Sequence, residues 1–147
     1  MTMPPTQKNI VLYADDDPDD LDLVQEAFKK YATNVDVLTA TDGSQALSYL
    51  LGINDGDPTP CLIILDINMP MISGKDVLVR IRQEVRFKNT PVVLFTTSSM
   101  TLDAQFAKHY KAGFITKPLD ANQMRKITEQ FIGHCTEDIQ KLIKKTL

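Results

Sequence analysis

The chain is 147 residues long, has a formal net charge of -3 and contains 43% hydrophobic residues. This length and composition are enough for one globular core, so we expect a single domain. The slightly acidic balance argues against general electrostatic attraction to nucleic acids or anionic membranes. Because no stretch is typical of a signal peptide or a membrane span, we expect a cytoplasmic protein.

In chain order, five short apolar runs predict β-strands, because they are too short for typical helices and rich in β-branched residues. We expect all of these strands to be buried on both faces, since the runs are continuous and do not alternate with polar residues. The runs are Ile10–Ala14, Val35–Leu38, Cys61–Leu65, Val92–Phe95 and Phe114–Thr116.

Stretches in which apolar residues recur with helical spacing follow the runs, and each predicts a helix with one apolar stripe. Regular alternation of strands and helices predicts a parallel sheet with helices on both faces and right-handed crossovers. The predicted fold class is therefore α/β, doubly wound. The stripes are Leu21, Val24, Phe28 and Tyr31; Ala46, Leu47, Leu50 and Leu51; Val77, Leu78, Ile81 and Val85; Phe106 and Tyr110, within Leu102 to Ala112; and Met124, Ile127 and Phe131, in a helix that opens near Ala121.

The two ends of the chain differ in character from its middle. Residues 1–8 are polar, contain two prolines, and predict a flexible segment ahead of a domain that spans 9–133. Gly133 is expected to end or kink the last helix of this domain, which leaves 134–147 as a helical extension. Ile139, Leu142 and Ile143 share one side of the extension. It either packs on the domain or contacts a partner or a second copy, and the sequence favours neither.

Polar residues stand directly after four of the apolar runs. In an open α/β sheet the functional crevice lies at the carboxyl ends of the strands, so these residues are expected to meet at one edge. Three carboxylates (Asp15, Asp16 and Asp66), the Thr96 hydroxyl and the Lys117 ammonium group would then share a small volume. The residues are Asp15, Asp16 and Asp17 after the first run, Asp66 after the third, Thr96 and Thr97 after the fourth, and Lys117 and Pro118 after the fifth.

Carboxylates gathered this closely repel one another and need a cation to stay ionised. Mg2+ suits such a site, because it prefers oxygen ligands and takes one or two protein carboxylates together with phosphate oxygens. Mn2+ is an acceptable substitute. Asp15, Asp16 and Asp66 are the candidate ligands, and the backbone oxygen of Asn68 would complete the protein's share.

The same arrangement prepares Asp66 as a nucleophile toward phosphorus. The metal and Lys117 would offset the charge of an incoming phosphoryl group, and Thr96 would donate a hydrogen bond to one of its oxygens. The implied product is an acyl phosphate on Asp66.

Four motifs, in their order and spacing, resemble the receiver domains of two-component response regulators, and the resemblance extends to about Lys126. These motifs are YADDDPDD after the first strand, LDINMPMISG around Asp66, VVLFTTSS around Thr96 and GFITKPL around Lys117. The resemblance implies a five-stranded parallel sheet in the flavodoxin-like order 2-1-3-4-5. The DDDP opening and the long Gly52–Pro60 loop are similar to the small stand-alone receivers associated with bacterial phytochrome kinases.

The resemblance also implies a role for each motif residue. According to the resemblance, an acidic pair and a backbone oxygen hold the metal beside the phosphoacceptor. A hydroxyl and an aromatic side chain couple the site to the surface. A lysine contacts the phosphoryl group, and the Lys-Pro peptide bond is commonly cis. The corresponding residues are Asp15, Asp16 and Asn68 for the metal, Asp66 for the phosphoacceptor, Thr96 and Phe114 for the switch, and Lys117 and Pro118 for the Lys-Pro pair.

The protein so implied is a single-domain response regulator, a phosphoacceptor switch with no enzymatic activity beyond slow self-phosphorylation and self-dephosphorylation. A sensor histidine kinase or a phosphotransfer protein would supply the phosphoryl group. The modified protein would act on a downstream protein target through a surface between Leu102 and Phe131. Homodimer formation, the identity of the kinase, and a relay role in place of a switch stay open.

An EF-hand calcium loop is a competing interpretation of the first acidic motif. Asp15, Asp17, Asp19 and Glu26 occupy the first, third, fifth and twelfth positions of such a loop. Against this interpretation, Asp20 replaces the glycine that the loop requires, and an apolar strand pattern precedes the motif where a helix should stand.

Two further interpretations keep the acidic pocket but change its use. A magnesium phosphatase of the aspartyl-phosphate type would also use Asp66, but such enzymes typically carry a second acid two residues later, where this chain has Asn68. A pseudo-receiver would act as a constitutive interaction module, and the complete set of motif residues argues against it.

Overall fold

The computed structural model describes residues 8–118 and 121–145. The predicted flexible segment 1–8, apart from Lys8, lies outside these residues. The described chain forms a five-stranded sheet in the order β2-β1-β3-β4-β5, and every neighbouring pair of strands is parallel. The predicted fold class and strand order are confirmed. The strands are β1 Asn9–Ala14, β2 Val35–Ala40, β3 Leu62–Leu65, β4 Val92–Thr96 and β5 Gly113–Thr116.

Helices alternate with the strands and cover both faces of the sheet. Four of them begin at a side chain that accepts a backbone N–H of the first turn, which satisfies a donor that the helix itself leaves unpaired; these caps are Asp17, Asp42, Ser73 and Thr136. No helix in the described part of the chain is long and apolar enough to cross a membrane. The helices are α1 Pro18–Phe28, α2 Gly43–Leu51, α3 Gly74–Arg82, α4 Thr101–His109, α5 Met124–Gly133 and α6 Glu137–Lys144.

The core lies in two layers, one on each face of the sheet. Alternate residues of β1, β3 and β4 point to opposite faces, so one layer packs these strands against α1 and α5, and the other packs them against α2, α3 and α4. This explains why their sequences are continuously apolar: both faces are covered. The prediction of burial on both faces is wrong for the two edge strands: Asp36, Leu38 and Thr39 of β2 are exposed, and so is Thr116 of β5.

The apolar stripe predicted through Val85 is also wrong at its end. The side chain of Val85 is 91% exposed, because α3 stops at Arg82 and the chain turns there. The Arg82 guanidinium donates hydrogen bonds to the carbonyls of Phe87 and Thr90, which fixes the turn. Phe87, not Val85, enters the core, where it is fully buried.

Helix α6 packs against the domain, which was one of the two alternatives for the C-terminal extension. Ile143 is 1% exposed within the layer formed by α1 and α5, and Ile139 packs beside it. The Asn34 amide donates a hydrogen bond to the carbonyl of Ile143 at 3.3 Å. Leu142, predicted on the same side, is 48% exposed. Gly133 ends α5 as expected, while the domain boundary placed there stays a prediction.

Replacing Ile143 with alanine is expected to lower the free energy of unfolding by about 2–4 kcal/mol, because it removes buried methyl groups and leaves a cavity. Leu142→Ala is the matched control: it deletes a side chain of the same size one position earlier, and its expected cost is below about 0.5 kcal/mol. Urea unfolding of both variants measures the difference. Equal losses would show that α6 is not held by Ile143.

Candidate functional site

Backbone hydrogen bonds continue past the strand ends and bring the predicted site residues to one edge of the sheet. The amide of Asp15 donates to Ala40 at 3.0 Å, and the amide of Asp66 donates to Ala14 at 3.0 Å. The amide of Lys117 donates to the carbonyl of Thr96 at 2.8 Å. Each side chain therefore leaves the backbone at the point where its strand ends, as the sequence predicts.

The ammonium group of Lys117 is the centre of the site. Its Nζ lies 2.6 Å from Asp15 Oδ2, 2.8 Å from Asp20 Oδ2 and 3.2 Å from Asp66 Oδ2. The side chains of Lys117 and Asp66 are 7% and 8% exposed, and that of Asp15 is fully buried. A buried cation thus joins three carboxylates, two of which the sequence predicted.

Asp20 is the site residue that sequence reasoning missed. It belongs to the first turn of α1, where acidic residues are common for a simpler reason, the favourable interaction of negative charge with a helix N-terminus. A signal for it was present, since Pro18 is favoured in the first turn of a helix. A helix that starts at Pro18 places Asp20 within one turn of Asp15, at the same edge of the sheet.

Charge and burial act against each other at this site. Burial raises the pKa of Asp66 above its usual range, and the neighbouring Lys117 only partly offsets that rise. Burial by itself would lower the pKa of Lys117, but hydrogen bonds to Asp15 and Asp20 raise it instead. Lys117 therefore stays charged at neutral pH, while an ionised Asp66 carries an energetic cost that a further cation would relieve.

The acidic residues fit a divalent metal ion. Asp15, Asp16 and Asp66 each offer a carboxylate oxygen, and these oxygens lie within 4.8 Å of one another. Two of the three residues are buried and Asp16 is exposed, so the set opens to solvent on one side. Oxygen donors of this kind suit hard cations. The Asn68 amide donates to Asp66 Oδ1 at 3.3 Å, and the metal-ligand role of the Asn68 carbonyl stays a prediction.

Helix α3 approaches the backbone of Asp66 so closely that its first residue must be glycine. A Cβ atom on Gly74 would lie 2.0 Å from the Asp66 carbonyl oxygen and 2.8 Å from its carbonyl carbon. The Gly74 amide donates to the carbonyl of Ile67 at 3.0 Å. The loop between β3 and α3 is therefore tied to the helix start, which holds Asp66 in place.

The two predicted switch residues differ in burial. Thr96 is fully buried at the end of β4, and its hydroxyl oxygen accepts the Ser98 amide at 3.4 Å. Phe114 is partly buried and packs on the layer that contains α2, α3 and α4. These positions are compatible with the predicted switch roles, which stay predictions.

The Lys117–Pro118 peptide bond differs from the expectation based on the resemblance. No cis peptide bond occurs between residues 8 and 118, so this bond is trans. A trans X–Pro bond is intrinsically favoured by roughly 0.5–1 kcal/mol, and the contacts of this chain do not reverse that preference.

A polar cluster beside the site connects the loop after β4 to α3 and α4, and no sequence pattern predicted it. Asp103, in the first turn of α4, forms an ion pair with Lys75 of α3 and accepts the Ser98 hydroxyl at 2.5 Å. The Ser98 hydroxyl oxygen also accepts the Met100 amide at 3.2 Å. These bonds position the loop that directly follows Thr96.

Asp103→Asn is expected to lower the free energy of unfolding by about 1–3 kcal/mol near neutral pH. Lys75 and Ser98 hold the pKa of Asp103 below its usual range, so the stabilisation is complete above the ordinary aspartate pKa. It is lost as the pH falls through the lower pKa of the folded state. Thermal unfolding between pH 7 and pH 3 should therefore show the gap between wild type and variant closing.

The control for this prediction is Glu84→Gln, which breaks the more exposed Arg80–Glu84 ion pair on α3. Exposed pairs contribute little, so the expected loss is below about 0.5 kcal/mol at every pH. A loss for Asp103→Asn that is equally small would contradict a structural role for the cluster.

The observed geometry contradicts the EF-hand interpretation. Strand β1 precedes Asp15, and α1 begins at Pro18, inside the segment that would have to form the calcium loop. Asp17 caps the helix by accepting the Asp19 amide at 2.9 Å. Asp15, Asp17 and Asp19 therefore serve a strand end and a helix start, and do not encircle one ion.

Comparison with known proteins identifies the architecture that carries this site. The family model of the response regulator receiver domain matches residues 11–129. The chain belongs to this family. This receiver is part of two-component signalling.

Single-domain response regulators are among the receiver's relatives. It is 32% identical to the response regulator Rcp1 of Synechocystis sp. over 124 residues, covering 82% of this chain and 84% of Rcp1. The structure of the phosphorylated cyanobacterial phytochrome response regulator RcpA superposes with a TM-score of 0.78 at 28% identity, covering 88% of this chain and 98% of RcpA. The Mn(2+)-bound form of Rcp1 gives a TM-score of 0.74 at 29% identity, with coverages of 83% and 90%. The predicted likeness to phytochrome-associated receivers is confirmed.

Proposed function

We propose that this receiver accepts a phosphoryl group on Asp66 from the phosphohistidine of a sensor histidine kinase or phosphotransfer protein. The observation that carries the proposal is the burial of Asp66 within hydrogen-bonding distance of Lys117, next to the oxygens of Asp15 and Asp16. Burial raises the pKa of Asp66 and so makes its carboxylate a stronger base and nucleophile than an exposed one.

Mg2+, with Mn2+ as a substitute, is the metal that this donor set would hold. Asp15, Asp16 and Asp66 would supply carboxylate oxygens and Asn68 a backbone oxygen. When bound, the ion would supply positive charge beside the phosphoryl oxygens. Rcp1 in its Mn(2+)-bound form is a relative of this chain, which supports the choice of a divalent ion.

The transfer itself requires few groups of the protein. A carboxylate oxygen of Asp66 forms a bond to phosphorus as the bond from phosphorus to the histidine nitrogen of the donor breaks, and the product is an acyl phosphate. Lys117 donates a hydrogen bond to a phosphoryl oxygen, and the Thr96 hydroxyl donates another. Both groups stand at the ends of neighbouring strands, β4 and β5, so positioning supplies most of the catalysis.

The added charge would then change the protein's surface. Thr96 connects to the Ser98 loop, and the Ser98 hydroxyl connects to α4, so movement of Thr96 toward the phosphoryl group is transmitted to that helix. The proposed output surface comprises α4, β5 and α5, with Phe114 as its switch residue. A downstream protein would bind it in the cytoplasm, and a second copy of the chain is a further candidate partner.

The protein is proposed to act as a switch without substrate turnover. The position two residues after Asp66, where aspartyl-phosphate phosphatases carry an acid, holds Asn68. Self-phosphorylation from small donors and slow self-dephosphorylation are the reactions expected of the chain alone. Nucleic acid and membranes are not among the proposed partners.

Hydrogen exchange of the backbone amides tests the switch. The protein is treated with phosphoramidate and Mg2+, uptake of one phosphoryl group is verified by intact mass, and exchange is compared with the untreated protein. We expect changed exchange in residues 98–116 and in α5, with α2 and α6 as internal controls. Phosphoryl uptake without any change in these segments would contradict the switch and favour a constitutive interaction module.

A further inference from the structure

We propose that Asp20 is a positioning residue that aims the ammonium group of Lys117 at Asp66. The inference deepens the proposed function and rests on it, because it concerns the same phosphoacceptor. It assigns a role to a carboxylate that the motifs of the sequence did not single out.

The geometry around Lys117 uses every hydrogen that its ammonium group has. A lysine ammonium group can donate three hydrogen bonds and can accept none. Asp15, Asp20 and Asp66 each place one oxygen within 3.2 Å of Nζ, and the two shortest distances, 2.6 and 2.8 Å, belong to Asp15 and Asp20. Hydrogen bonds to Asp15 and Asp20 thus leave the third hydrogen for Asp66.

Asp20 is held in position by the start of its own helix. Asp15 Oδ1 accepts the Asp17 amide at 2.9 Å, and Asp17 in turn caps α1, so the first turn is attached directly to the site. The side chain of Asp20 is 29% exposed, whereas that of Asp15 is fully buried. Asp20 is therefore the more solvent-accessible of the two carboxylates that lie nearest to the Lys117 ammonium group.

This arrangement requires little movement when Asp66 is modified. The bonds from Lys117 to Asp15 and Asp20 can persist while the third hydrogen passes from the Asp66 carboxylate to a phosphoryl oxygen. A donor that is already oriented toward the place where charge appears stabilises the transition state without reorganisation. Without Asp20, the lysine side chain gains freedom to turn away, and the orientation has to be established during the reaction.

A purely electrostatic role for Asp20 makes the opposite prediction. If Asp20 acted only as one more negative charge near the site, its removal would speed the approach of an anionic phosphodonor. Asn and Ala variants would then behave alike, since both lose the charge. Positioning distinguishes them, because asparagine keeps an oxygen that accepts a hydrogen bond from Lys117 and alanine does not.

The test measures the initial rate of phosphoryl uptake from phosphoramidate in the presence of Mg2+. Asp20→Ala is expected to be about tenfold slower than wild type, and Asp20→Asn is expected to retain most of the rate. Asp19→Ala and Asp19→Asn are the matched controls, because they remove the same charge from an exposed position in the same helical turn, and their rates should equal that of wild type. Equal or faster uptake in both Asp20 variants would overturn the proposal.

A second measurement does not depend on phosphoryl transfer. In nitrogen-15 NMR spectra of the lysine ammonium groups, the Lys117 signal should be visible in wild type and Asp20→Asn, because hydrogen-bonded ammonium protons exchange slowly with water. It should be lost or exchange about tenfold faster in Asp20→Ala. An unchanged Lys117 signal in Asp20→Ala would refute the positioning role. If wild type takes up no phosphoryl group, the proposed function fails, and this signal still decides the role of Asp20.

Discussion

Lys117→Met is expected to lower the free energy of unfolding by about 3–5 kcal/mol at neutral pH in the absence of divalent metal, because removing one partner of a buried ion pair leaves the other charges uncompensated. Here Asp15, Asp20 and Asp66 would all lose their shared cation. The same change is expected to slow phosphoryl uptake by about 10²–10³-fold, since the ammonium group that faces the phosphoryl oxygens is gone.

Lys88→Met is the control for this prediction, because Lys88 is exposed and the substitution removes the same charge. Urea unfolding should show little change for Lys88→Met and a large loss for Lys117→Met. Addition of Mg2+ should recover part of that loss, as a metal ion replaces the missing positive charge among the carboxylates. A Lys117→Met variant as stable as the control would show that the lysine is not the main compensating charge.

Asp66→Asn is expected to stabilise the folded chain at neutral pH while it removes the phosphoacceptor. Burial raises the pKa of Asp66, so the folded state binds its proton more readily than the unfolded state does. Stability is therefore lost as the pH rises from the ordinary aspartate pKa through the higher pKa of the folded state. An uncharged asparagine avoids this loss, and the unfolding midpoint should rise by a few degrees at pH 7.

The pH dependence distinguishes the effect of Asp66 ionisation from a general effect of removing one negative charge. The gain from Asp66→Asn should shrink as the pH falls below the ordinary aspartate pKa, where wild-type Asp66 is protonated in both states. Asp55→Asn, in an exposed loop, removes the same charge and is expected to leave the unfolding midpoint unchanged. A loss of stability on Asp66→Asn at pH 7 would mean that the bond with Lys117 outweighs the cost of burial.

The architecture could be predicted from the sequence because the central strands have a recognisable apolar pattern. Strands buried on both faces need continuous apolar runs, and the parallel order then places Asp15, Asp66, Thr96 and Lys117 at one edge without further information. The same rule failed at the edge strands β2 and β5, since an edge strand can have an apolar sequence and still expose residues such as Leu38 and Thr116. The apolar periodicity also predicted that the stripe of α3 reaches Val85, whereas the helix ends at Arg82. A periodic pattern gives no indication of the Arg82 hydrogen bonds that fix the turn after the helix.

The residues that the sequence did not predict, in the site and in the polar cluster beside it, share a different property. Asp20, Asp103 and Lys75 are polar residues in the first turns of helices, where acidic and basic residues are common on solvated surfaces. Only the packing of these helix starts around the strand ends turns such residues into partners of Lys117 or of the loop after Thr96. Pro18 marks the helix start that carries Asp20, but a pattern along one element does not identify the partners of these side chains, and the tertiary structure does.

The measurement that tests the central claim most directly is intact mass after treatment of the protein with phosphoramidate. Wild type is compared with Asp66→Asn, each with Mg2+ and with the metal removed by a chelator. The claim predicts one phosphoryl group on wild type in Mg2+, far less after chelation, and none on Asp66→Asn in either condition. A full-stoichiometry adduct on Asp66→Asn, or a folded wild type that binds Mg2+ and yet takes up no phosphoryl group, would contradict it.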